Sequence, residues 1–222
     1  MITLFEDVLT IIIKEYQEMQ YSKRRMILLF VAVLIPLAFL IDSSNSLFSM
    51  DVLLILTPLM VSVSASSQLA LYTILEEKSN KTLEVLLSLK ISKLSIILGK
   101  TVISTIFGFI LSVISFILMW FILTYVKVIY FDFTLGFIII SLLICHISSN
   151  IAILSSLLFT DIKIAPTISI IFMFLFLLFI SVLLSIVKFN YVLIFIILII
   201  FSIIVVYANV YILSNKVSLI TK

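Results

Sequence analysis

Long, almost uncharged apolar runs dominate this chain, near residues 25–42, 51–74, 96–125, 135–158, 164–187 and 190–213. A helix needs about 20 such residues, rising ~1.5 Å each, to cross the hydrocarbon of a bilayer. Each run is long enough, the first by snorkelling of Arg24 and Arg25 at its end. With 64% of the residues hydrophobic and 11% charged, no water-soluble fold could hide the apolar surface. The runs are solid instead of alternating, and only three glycines and three prolines interrupt them, which excludes a transmembrane β-barrel. The expected fold is all-α: a single polytopic membrane domain, residues 1–222, with six transmembrane helices.

Two further helices are expected outside the spans. In residues 1–24, Leu4, Phe5, Val8, Ile12, Tyr16 and Met19 recur at helical spacing. Glu6, Thr10, Lys14, Gln17 and Glu18 fall opposite them. This amphipathic helix ends in Lys23-Arg24-Arg25 just before the first run, which suits a helix lying in the headgroup plane. The start of the chain lacks the short apolar core and small-residue cleavage site of a secretory signal.

The longest polar stretch, residues 75–95, joins spans two and three. Ser79-Asn80 breaks the helix leaving the membrane, and Thr82 to Leu89 resume an amphipathic turn with Leu83, Leu86 and Leu87 on one face.

Charge placement orients the chain. With the N-terminus inside, Lys14, Lys23, Arg24, Arg25, Lys78, Lys81, Lys90, Lys93, Lys100, Lys163, Lys216 and Lys222 are cytoplasmic, leaving Lys127 and Lys188 outside. Twelve against two puts both termini on the cytoplasmic side, and the plasma membrane is the expected host bilayer. The outer loops are short. The basic residues cluster at span ends and form no continuous patch, so no nucleic-acid partner is expected. Cys145, the one cysteine, excludes an intrachain disulfide or a cysteine-based metal site.

Within the polar stretch, Lys81-Thr82-Leu83-Glu84-Val85-Leu86-Leu87, Lys90-Ile91-Ser92 and Gly99-Lys100 resemble the second cytoplasmic segment of type-2 ATP-binding cassette (ABC) exporter permeases. That family reads acidic residues, Gly-Thr-Leu-Glu-x-Leu-Leu, Pro-Ile-Ser and Gly-Lys. Lys81 stands where the family has glycine, and Lys90 where it has proline. Lys14-Glu15, Lys23-Arg24-Arg25 and Pro36-Leu37 match the family's opening. The resemblance implies a coupling helix around Thr82 to Leu89 that docks on a separate nucleotide-binding ATPase subunit, with Glu76, Glu77, Thr82, Leu83, Glu84, Leu86 and Leu87 at the contact. It further implies a second permease chain, identical or similar, and export as the direction of transport. ATP and magnesium would bind the partner, and this chain would hold no cofactor and no metal.

Other signals weigh less. Gly99-Lys100-Thr101 ends like a phosphate-binding loop, but the first glycine would fall at Leu94, and no strand–loop–helix setting exists. No acid pair, His-Glu-x-x-His or serine elbow marks an enzyme. Gln68, His146 and Asn150 are polar within spans and are the candidates for lining a pathway. Small residues line one face of three spans: Ser62, Ser66 and Ala70; Ser104, Gly108, Ser112 and Ser115; Ser141, Cys145, Ser148, Ala152 and Ser156. Such faces let helices approach closely in lipid. The competing functions are a stand-alone secondary transporter or channel, and a non-transporting membrane scaffold. Against the first, Asp42, Asp51, Asp132 and Asp161 all sit near span ends, and no internal repeat is visible. The apolar spans and small outer loops favour a lipophilic or amphipathic substrate such as a lipid, drug or antimicrobial peptide.

Overall fold

The structure is a computed structural model that describes residues 2–21, 50–89, 91–126, 135–159, 164–187 and 191–220. Seven helices make up the described chain: α1 (Ile2–Tyr21), α2 (Met50–Ser79), α3 (Thr82–Ser88), α4 (Lys93–Val126), α5 (Leu135–Leu158), α6 (Ile164–Val187) and α7 (Tyr191–Ile220). Four of them carry stretches long and apolar enough to cross a membrane: Thr57–Ser79, Lys93–Leu118, Ile139–Leu158 and Val192–Asn215. Helix α6 adds a shorter apolar stretch, Ile164–Phe179. The expected first span, 25–42, lies outside the described residues, as do Lys23, Arg24, Arg25 and Lys90.

The distribution of polarity marks a membrane protein. Ser62, Ser66, Ser104, Ser112, Ser115, Ser141, Ser148 and Ser156 are buried between helices, while Ile110, Ile117 and Phe121 of α4, Phe174 and Leu178 of α6, and Ile200, Ile203 and Ile204 of α7 face outward. A soluble bundle places such residues the other way round. Hydroxyls inside and isoleucines outside suit a solvent that is itself apolar, where packing and interhelical hydrogen bonds hold helices together.

Helix α2 is the hub, packing along both α4 and α5, with α7 against α5 and α1 against α4. The small-residue faces mesh there. A Cβ built on Gly108 would lie 2.5 Å from Ser66 Cβ and 3.0 Å from Ser66 Cα and N, so α4 touches the backbone of α2. Ser62 Oγ donates to Ser112 Oγ at 2.9 Å, and the Ser112 hydroxyl also reaches the Pro58 carbonyl at 3.0 Å. Ser66 also hydrogen-bonds Ser148 of α5, so the same face of α2 meets both helices. Leu59, Val63, Leu71, Ile74, Ile144, Ile147, Ile194 and Leu198 fill the remaining core. Phe201 of α7 stacks on Phe176 and Phe179 of α6, with centroids 5.9 and 5.8 Å apart. Pro166 falls in the first turn of α6, where its missing N–H breaks no helical bond.

The apolar arc of α1 divides in two. Ile11 and Met19 are buried and Leu4 and Val8 are half-buried against the bundle, whereas Phe5, Leu9, Ile13 and Tyr16 are exposed. One arc thus seats on protein and the adjacent one remains open, which a periodicity count alone cannot separate.

Candidate functional site

Helix α2 runs to Ser79, and the break expected at Ser79-Asn80 is a tight turn. Asn80 N–H bonds the Glu76 carbonyl at 3.0 Å, and Lys81 N–H bonds that of Lys78 at 3.2 Å. Lys81 takes the left-handed conformation, φ 57° and ψ 17°, the one positive φ at a non-glycine residue among the described residues. Glycine enters this region without strain, and an L side chain is disfavoured there by about 1–2 kcal/mol. The lysine therefore keeps the turn that a glycine would make, at some strain.

Helix α3 follows. Leu83 and Leu86 are buried, and Leu86 packs with Ile11 of α1 and Ile96 of α4. Leu87 is half-buried on the same side. Thr82, Glu84, Val85, Ser88 and Leu89 face outward, with Val85 61% and Leu89 50% exposed. Past the loop, Ser92 caps α4: its Oγ accepts the Ser95 N–H at 3.0 Å.

Behind α3 lies a buried ion cluster. Lys100, seven residues into α4, is fully buried, and its Nζ pairs with Glu15 of α1 and, at 2.9 Å, with Glu77 of α2. Lys14 of α1 pairs with the same Glu77 oxygen and reaches Glu18 at 3.5 Å. Glu15 and Glu77 are 1% and 3% exposed. Lys100, Glu15 and Glu77 are thus buried with their charges paired, the condition under which burying them is tolerable, while the Lys14 side chain, 34% exposed, closes the cluster from its rim. Burial alone would lower the Lys14 pKa. The hydrogen bond to Glu77 and the charges of Glu77, Glu15 and Glu18 outweigh it and raise that pKa above 10.5. Beside the cluster, Glu15, Met19, Leu69, Thr73, Ile103 and Ser104 line a small cavity.

Two more contacts fix the same end of the bundle. A Cβ on Gly99 would meet Ile11 Cγ2 at 2.6 Å and Cβ at 2.7 Å, so α1 lies directly on α4. Lys78 Nζ donates to the carbonyls of Ser156 and, at 2.9 Å, Phe159, satisfying the last turn of α5.

The seven residues assigned to partner contact therefore separate. Thr82 and Glu84 are exposed, Glu76 and Leu87 are half-buried, and Glu77, Leu83 and Leu86 turn into the protein. The three pathway candidates are not one constellation. Gln68 is half-buried on α2; Asn150 of α5 is buried and donates from Nδ2 to the His146 carbonyl at 2.8 Å and to His146 Nε2 at 3.2 Å. Asn209 of α7, which the sequence pattern did not single out, donates to the Asn150 carbonyl at 2.9 Å. Glu15 and Lys100 were likewise read only as parts of motifs. Each was visible as a charge on an otherwise apolar arc: Glu15 falls between Ile11 and Met19 at four-residue spacing, and Lys100 lies inside an apolar run.

The chain matches no family model and no curated protein. Among the described residues, no group of three or more His, Cys, Asp or Glu side chains could hold a metal ion.

Proposed function

We propose that this chain is the membrane-spanning permease subunit of an ABC exporter and that α3 is the surface on which a separate nucleotide-binding ATPase docks. The observation that carries the reading is the two-sided character of α3. Its inner leucines seat it on α1 and α4, while its outer face presents Val85 and Leu89 beside Glu84 at the polar end of the helices. Large apolar side chains held out on a short rigid helix are what a partner groove takes up. The Thr-Leu-Glu-x-Leu-Leu resemblance points to the same partner. In this reading the chain has six spans, with both termini cytoplasmic in the plasma membrane, and pairs with an identical or similar permease. ATP and magnesium act on the partner, and movement of α3 repacks the spans to release a lipophilic or amphipathic substrate outward.

A stand-alone transporter would work through Gln68, His146 and Asn150. The Asn150–Asn209 contact supports helix packing in preference to ion coupling, because the Asn209 amide donates across to the Asn150 carbonyl while the Asn150 amide donates to His146 within its own helix.

The test is purification of the chain from its native membranes in mild detergent, with mass spectrometry of what accompanies it. An ATPase subunit at near-equal stoichiometry is expected. Val85→Glu and Glu84→Arg should lose it while inserting normally, because both side chains are exposed and support no internal contact. Recovery of the chain alone across several detergents, or retention of the ATPase by both variants, would sink the reading.

A further inference from the structure

We infer that the Lys14–Glu15–Glu77–Lys100 cluster, buried except at Lys14, is a lock that makes α1 and α3 a single mechanical unit, so that displacement of α3 is delivered to α1. The inference rests on the reading of α3 as a docking helix, and it names the residues that would pass the movement on.

The geometry is specific. Glu77 is five residues before α3 begins, and Lys100 lies seven residues beyond the start of α4, so the two charges bracket α3 in the chain. They meet each other at 2.9 Å, closing the base of the α2–α3–α4 turn. Into this closure α1 inserts Glu15 against Lys100 and Lys14 against Glu77, one charge of each sign. The same arc of α1 presents Ile11 one turn earlier, packed on Leu86 of α3 and Ile96 of α4, and Met19 one turn later, packed with Ala65 and Leu69 of α2. Ile11, Glu15 and Met19 therefore bind α1 to all three elements through successive turns of one face. Gly99 lets Ile11 approach the α4 backbone, so the seat has no slack.

Such a seat cannot yield piecemeal. If α1 moved away from α4, Lys100, fully buried, would lose Glu15, and Glu77, 3% exposed, would lose Lys14. Separating buried charges is far more costly than separating apolar side chains, so the packed arrangement switches as a body or holds. The outer arc of α1, with Phe5, Leu9, Ile13 and Tyr16 exposed, would then carry that movement.

The experiment is hydrogen–deuterium exchange of the full chain in lipid nanodiscs, without any ATPase present. Glu15→Gln cuts the ionic tie of α1 to α4 but leaves the Glu77–Lys100 pair beside α3 intact. Loss of this charge-assisted contact should raise exchange about tenfold or more in α1, and by the same factor in α3, with α5 and α7 unchanged. Lys100→Met, which removes the shared cation, should raise both by on the order of 100-fold. Faster exchange of α1 with α3 unaltered would overturn the inference, since the cluster would then anchor α1 alone. Unchanged exchange in both helices would overturn it too. Should Lys100→Met fail to insert, Glu15→Gln decides, because it keeps one intact pair at the site. Since no partner is needed, failure of the lock and failure of the docking reading are separately visible: the first appears in exchange, the second in co-purification.

Discussion

Replacing Gly108 by alanine tests the helix packing at its tightest point. The new Cβ would sit 2.5 Å from Ser66 Cβ and 3.0 Å from Ser66 Cα and N. Carbon atoms rest at about 3.5–4.0 Å, so α2 and α4 must part by about 1 Å. The obstruction is the Ser66 Cβ and the backbone that fixes it, neither of which can swing aside. Nor can α2 retreat freely, because Ser66 is already hydrogen-bonded to Ser148 of α5. One turn along, the Ser62–Ser112 bond of 2.9 Å spans the same seam and would lengthen. Overpacking of this kind costs about 1–3 kcal/mol. Loss of an interhelical hydrogen bond in a membrane adds about 0.6 kcal/mol. Removing a glycine from a helix interior returns about 0.5–1 kcal/mol. The expected outcome is a net destabilisation of about 0.5–3 kcal/mol, measured by reversible unfolding in mixed micelles or by steric trapping in bilayers. Ser66→Gly placed in the Gly108→Ala background should recover part of this, since it removes the 2.5 Å contact and leaves those at 3.0 Å; the double-mutant cycle should therefore show coupling between the positions. Gly108→Ala as stable as the parent would refute the close approach of α2 and α4, and with it the packing role of the serine faces.

Two further outcomes follow from the region around α3. Lys81→Gly should preserve or raise stability by up to about 1 kcal/mol, because relief of the left-handed side chain exceeds the added freedom of the unfolded glycine; a loss of more than that on thermal unfolding would contradict the φ of 57°. The second outcome concerns alkaline pH. Since the pKa of Lys14 is raised in the fold by Glu77, Glu15 and Glu18, its contribution is complete below the ordinary lysine value of 10.5 and lost as pH climbs through the raised value. Limited proteolysis of α1 should be flat from neutral pH to 10.5 and increase only above it. Lys14→Arg, which does not deprotonate in this range, should extend the plateau; loosening of α1 that begins near neutral pH would contradict the assignment.

What the sequence made legible, and what it did not, divides by range. The helical character of every described segment, the break at Ser79-Asn80, and the inward set of Leu83 and Leu86 are local properties, set by periodicity and by residues that favour turns. The small-residue faces were legible for the same reason, and each of their members is buried. Long-range partners were less so: Glu77 and Lys78 look like a polar exit from the membrane but are drawn back against the bundle by partners on α1, α4 and α5. No local rule contains those partners. Glu15 and Lys100 are 85 residues apart, and hydropathy scores each as a charge to be placed in water.

That failure is informative about the protein itself. A charge on the apolar arc of an amphipathic helix and a lysine inside an apolar run each oppose the pattern around them, and either alone would weaken its helix. Their cost is offset only when both are satisfied together, with Glu77 supplying the second carboxylate and Lys14 the second cation. Replacing such a set by apolar residues of similar volume is often neutral or stabilising, so stability gives no reason for ions at this junction. Apolar contact already exists on either side of it, through Ile11 and Met19. What ions add over leucines is a fixed register, because a sliding apolar surface can repack by small steps and a shared lysine cannot. A junction between α1 and the two ends that carry α3 gains from that property only if force passes through it, which is why the cluster is read as a transmitting element.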